Sequence, residues 1–170
     1  MMTIGQAMLP EFETEMANTR KILERIPNDK LDWKIHDKSL TIGAVANHLA
    51  DIPSWVDIMQ SDSLDVAPVD GEPYQSPSET TTAAILELFD KNVGQALGIL
   101  ETVDDATLQG PWSLLQGGQT LMTMPRMAVI RIWVLNHSIH HRAHLCVYLR
   151  VNGIEVPGMY GPSADDPGMG

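Results

Sequence analysis

Four segments of the chain carry apolar residues recurring near the period of one helix face, and polar, Pro- and Gly-rich stretches separate them. Met8, Phe12, Met16, Thr19, Leu23 and Ile26 predict a first helix over 6–26, with Pro10 accommodated in its first turn. Glu11, Glu13 and Glu15 toward its start, with Arg20, Lys21 and Arg25 toward its end, suit the helix dipole. Thr41 is placed to cap a second helix that runs through Ala50 and on toward Met59. One face of this helix carries Ala44, Val45, His48, Ile52 and Trp55, and Pro53 kinks or ends it. A third helix is expected from Pro77-Ser78 to about Val103, apolar along Ala84, Leu88, Val93, Leu97 and Leu100. Gly94 and Gly98 leave room there for a close neighbour. A fourth is expected over 125–151, opened by Pro125 in its first turn and closed by Asn152-Gly153.

The segments between them differ in length. Residues 28–38 form a connector with Trp33 and with His36, whose neighbours Asp37 and Lys38 mark it as a surface loop residue. Residues 62–78 read as a long exposed connection of the kind that rims a site, with Tyr74 its one aromatic. Residues 104–122 are irregular, with a possible hairpin pairing 111–115 with 119–122 around Gly117-Gly118. The tail, 154–170, is expected to lie extended on the bundle and fray at its end. Together these elements predict one all-α domain over 1–170, a four-helix bundle with long connecting loops.

Charge and composition narrow the partners. A net charge of −11 argues against nucleic acid and against an anionic membrane surface. No charged leader followed by an apolar run begins the chain, and no apolar stretch approaches a membrane span. Cys146 is the sole cysteine, so an intramolecular disulfide is excluded, and its place on an apolar helix side suits packing. A cytoplasmic location is the expectation.

The chemistry concentrates in Asn136-His137-Ser138-Ile139-His140-His141-Arg142-Ala143-His144, which holds four of the six histidines. His137 and His141 are four apart, as are His140 and His144, so each pair shares a helix face. Two imidazoles at this spacing can grip one metal ion. At about 100° per residue, Arg126, Ile130, Trp133, Val134, His137, His141, His144 and Tyr148 form one inward stripe. His140 falls at its edge. Leu135, Ile139 and Cys146 lie on the other side, which is expected to face further chain or a partner subunit. His48, on the apolar face of the second helix, is the third histidine that such a metal site needs. Asp51 is near enough in sequence to accept from an imidazole N–H, although a solvated helix residue is the simpler reading.

Leu135 to Leu145, followed by Val147-Tyr148-Leu149-Arg150, resembles the signature of the DinB-like metal-binding bundles. The ending Val156-Pro157-Gly158-Met159-Tyr160-Gly161-Pro162-Ser163-Ala164-Asp165 resembles that family's tail. Glu15 to Arg20, Lys30 to Lys34 and His48-Leu49-Ala50-Asp51 match as well, so the likeness spans most of the chain. The resemblance implies an antisymmetric up-and-down bundle with a loop crossover, usually a homodimer. It implies one divalent metal, zinc or nickel, held by His48, His137 and His141 with water completing the site. The chain departs from the family at Ala143-His144, where Gly-Gln is frequent. His144 is thereby a candidate fourth ligand, supporting group or proton carrier, and His140 a supporting neighbour.

Function divides along the same line. The resemblance implies a metal-dependent thiol transferase using a low-molecular-weight thiol and a small-molecule substrate. A metal-dependent hydrolase is the alternative enzyme. His144 is a candidate general acid or base, with Tyr148 one turn on as a possible donor. A metal-binding stress-response module without chemistry, or a metal that only staples two helices, are the non-catalytic readings.

Overall fold

The computed structural model describes residues 2–167. The fraying expected at the chain's end falls at 168–170, outside the described residues. Helix α1, Ile4–Leu23, begins at a capping box in which Thr3 and Gln6 satisfy each other's backbone N–H groups. It therefore starts ahead of the expected boundary, Pro10 falls in its second turn, and its first turn holds no acidic residue. Gly5 lies against α4, Thr82–Thr102, where a Cβ would overlap the Leu100 carbonyl oxygen. Gly5→Ala is expected to cost about 1–3 kcal/mol of stability by overpacking, read from the urea midpoint.

Helix α2, Ile42–Asp51, is capped by Thr41 and gives way at Pro53 to a 3₁₀ turn, Ile52–Ser54, and the short α3, Trp55–Ile58. Ala44 proved exposed, and the core side of α2 is Ile42, Val45, Ala46 and Leu49. Pro53 has no N–H and interrupts the helical ladder here, and Asn92 of α4 donates to the neighbouring Ala50 carbonyl at 2.8 Å. Helix α4 starts later than expected, at a Thr81 cap, and turns a different face inward: Ile85, Phe89, Asn92, Ala96 and Leu100. Leu88, Val93 and Leu97 are only half-buried, while Gly94 and Gly98 are exposed with nothing close by.

The all-α expectation is incomplete. The short α5, Asp105–Gln109, leads into a hairpin of β2, Pro111–Gln116, and β3, Gln119–Pro125, turning through Gly117 and Gly118 at positive φ. β1, Ser63–Asp65, drawn from the long connection, pairs parallel with β2 to complete a three-stranded sheet in the order β1-β2-β3. Asp65 joins connection to hairpin by accepting from the Gly117 and Gly118 N–H groups.

Pro125 caps the last helix from outside rather than sitting in its first turn. This helix is not uniformly α. After α6, Arg126–Val129, comes a π-helical stretch, Ile130–Asn136, and then α7, His137–Val151. Such π-helical segments gather at functional sites, and this one ends where the histidines begin. Gly153, at φ +69°, closes the helix as expected.

Helices α1, α4, α2 and α7 form a ring in that packing order. Gly5 against Leu100 and Arg20 against Asp90 make α1 and α4 antiparallel. The Asn47–Glu79 and Asn92–Ala50 bonds make α2 and α4 parallel. The directions are thus up, down, down, up, and the β1-containing connection is the crossover. Arg126 pins it, donating to the carbonyls of Met59, Ser61 and Pro111 and to the Asp62 carboxylate. No helix among the described residues is long and apolar enough to cross a membrane.

Candidate metal centre

His48 of α2 faces His137 and His141 of the adjacent α7. The His137 Nε2 lies 2.9 Å from the His48 Nε2 and 2.8 Å from the His141 Nε2. All three ligand nitrogens fall within 4.8 Å of one another. Three ε nitrogens crowded together cannot all be satisfied by each other, since each neutral ring offers there either one proton or one lone pair. One cation would use all three lone pairs. Zinc–imidazole bonds of about 2.0–2.1 Å would set tetrahedral ligand nitrogens roughly 3.3 Å apart, so the rings need separate by only about half an ångström. The donor set therefore fits a divalent metal ion.

The electrostatics keep these rings neutral near pH 7. Burial, then the neighbouring His48 and His140, push His137 down to about 4. Burial, then His48 and His137, push His141 down to about 3. His48 is also lowered by burial, with Asp51 opposing. Neutral imidazole is the form that ligates metal.

Two indoles flank the histidines. Trp55 meets His48 at 5.5 Å and His137 at 5.7 Å between ring centroids, and Trp133 stacks on His137 at 5.9 Å. Asp51 is not the solvated residue expected. It is buried, and its carboxylate accepts from the Tyr74 hydroxyl at 2.7 Å, from Trp55 Nε1 and from the Ser54 hydroxyl. It acts on the site by fixing Trp55. Burial and Asp51 raise Tyr74 to about 12, so its hydroxyl stays a donor.

The same indoles wall an apolar cavity of about 160 Å³, lined also by Tyr74, Trp112, Leu114 and Met122. It lies between α3, the last helix and the sheet. Residue patterning put His48 with Trp55, and Trp133 with His137 and His141, on inward helix faces, and the resemblance singled out these three histidines; the cavity was not legible, because it is assembled from the crossover and the hairpin.

The other candidates fall around this centre. His144 converges with His140 and His141 rather than with His48 and His137. Tyr148 is buried, its ring parallel to His144 at 6.5 Å and edge-on to Trp33 at 5.5 Å. His36 is exposed, as expected, and accepts from the Lys38 N–H. Cys146 is half-buried against the core.

An up-down-down-up helical bundle with a small crossover sheet and three converging histidines defines a class of candidate metal-binding bundles. The match is specific: residues 1–168 match the DinB family, and the chain belongs to it. The chain is 26% identical over 159 residues to YrdA of Bacillus subtilis, covering 93% of this chain and 89% of that protein. A DinB-like protein from Bacillus cereus has a similar structure, with TM-score 0.68, 25% identity and coverage of 94% of this chain and 99% of that one. YfiT from Bacillus subtilis shares the fold at TM-score 0.67 and 19% identity, covering 89% of each chain. That protein is described as "a probable metal-dependent hydrolase with an unusual four-helix bundle topology".

Proposed function

We propose that this protein is a divalent-metal-dependent enzyme acting on a small molecule, with His48, His137 and His141 as the ligands. One observation carries the reading: a neutral three-histidine group shares Trp55 and Trp133 with an apolar cavity. A cavity on the order of 150 Å³ accommodates a benzene-sized group. The cavity would hold the apolar part of a substrate while the two indoles exclude water from the histidines' flank. A divalent ion at the histidines supplies Lewis acidity that turns water or a thiol into a nucleophile near neutral pH. Hydrolysis is the leading reaction, supported by what is said of YfiT. Thiol transfer, to which the sequence resemblance points, would use the same histidines with an added thiol. His144, beside His141, and Tyr148, beside His144, are the candidate proton carriers in either reaction.

The test compares metal-stripped, zinc-loaded and nickel-loaded protein on small aryl esters and amides, with and without cysteine. Metal-dependent turnover without cysteine supports hydrolysis. Turnover only with cysteine moves the assignment to thiol transfer, and equal turnover with and without metal contradicts both.

We also propose a homodimer through the outer face of the last helix. Ile132 and Val147 stand 45% and 53% exposed there, with Ile139 half-buried between them. Val147→Glu is expected to give folded monomers in light scattering, and an unchanged dimer would reject this face.

A further inference from the structure

His140, His141 and His144 form a second group whose ligand nitrogens also lie within 4.8 Å of one another. His140 and His144 are one helical turn apart with ring centroids at 4.4 Å, and His141 lies 5.0 Å from His140 and 5.5 Å from His144. Two histidines at this spacing on a stable helix chelate a divalent ion without help from another element. His140 is exposed and His144 half-buried, whereas the inner three are all half-buried. The outer group is therefore the one that an arriving ion meets. His141 belongs to both groups. While the inner group is empty, the outer one has three imidazoles. Once His141 turns its lone pair inward, only the His140–His144 pair remains outside.

We propose that His140, His141 and His144 are an outer capture position for a divalent cation, from which the ion passes to the inner histidines through His141. The passage is a ligand exchange at one imidazole, with no change in oxidation state and no group transferred. It follows that the protein takes up two ions, the second more weakly, because the occupied inner site leaves the outer position two ligands instead of three. The hand-off rests on the inner-site reading; the outer position itself does not.

The experiment titrates metal-free, full-length protein with nickel chloride by calorimetry and follows loading by quenching of the indoles beside His137 in stopped flow. Wild type is expected to bind two equivalents of unequal affinity. The surface double variant His140→Ala/His144→Ala is expected to keep the tight equivalent, lose the weak one and load more slowly. Binding of a single equivalent by wild type would overturn the outer position, as would a weak equivalent that survives in the double variant. Loading of the double variant at the wild-type rate would overturn the capture role. His137→Ala separates the two readings, since it removes an inner ligand and leaves all three outer ones. Loss of the tight equivalent with a retained outer one supports both positions, and a tight equivalent that survives when His137→Ala is combined with His140→Ala/His144→Ala overturns the inner site and the hand-off with it.

Discussion

His137→Ala is expected to weaken tight metal binding by more than about 100-fold, beyond the 10–100-fold typical of losing a group that merely supports a ligand. His137 is the hub of the inner group, its Nε2 within 3 Å of both other ε nitrogens. Removing it leaves His48 and His141 on different helices with a ligand missing between them. The fold should survive, since His137 is only half-buried and the main core residues of the last helix, Val134, Leu135, Leu145 and Leu149, are untouched. Competition against a chromophoric chelator reads the affinity, and circular dichroism checks the helix content. Unchanged tight binding in a folded variant would remove His137 from the site.

Arg142→Ala should have the largest effect on stability. Arg142 is 1% exposed and Glu15 is 6% exposed, and they meet at 2.6 Å between α7 and α1. Arg142 also donates to the Glu15 carbonyl, the Thr19 hydroxyl and the Tyr160 hydroxyl, and Tyr160 donates to Glu15. The network ties the C-terminal tail to two helices. Truncating Arg142 leaves the Glu15 carboxylate buried without its countercharge, a loss of about 3–5 kcal/mol. An apolar replacement of both partners, Glu15→Leu with Arg142→Met, is expected to recover most of that loss, because no charge is then left buried. Urea denaturation reads both. A loss under about 1 kcal/mol for Arg142→Ala would show that solvent reaches the pair and that it behaves as a surface ion pair.

These two residues show where local pattern carries information and where it stops. The i, i+4 histidines and the place of His48 on the inward side of α2 were legible, because helical period alone brings those side chains to one face. Glu15 read as a helix-dipole charge, and its real partner lies 127 residues away. The inward face of α4 was misjudged because its centre is a polar residue, Asn92, which turns inward to donate to the Ala50 carbonyl at the end of α2. β1 is three residues long and pairs with a strand fifty positions on, so it has almost no periodicity of its own. The hairpin was legible through Gly117-Gly118, whose positive φ values a two-residue turn requires.

The central claim is that His48, His137 and His141 together hold one divalent ion. Metal content of the untagged protein after exhaustive dialysis, with X-ray absorption at the edge of the bound metal, tests it most directly. The account predicts about one tightly held ion per chain with three imidazole nitrogens in its first coordination sphere, and the loss of that signal in His48→Ala. No retained metal after reconstitution with zinc or nickel, or an absorption spectrum unchanged by His48→Ala, would contradict it.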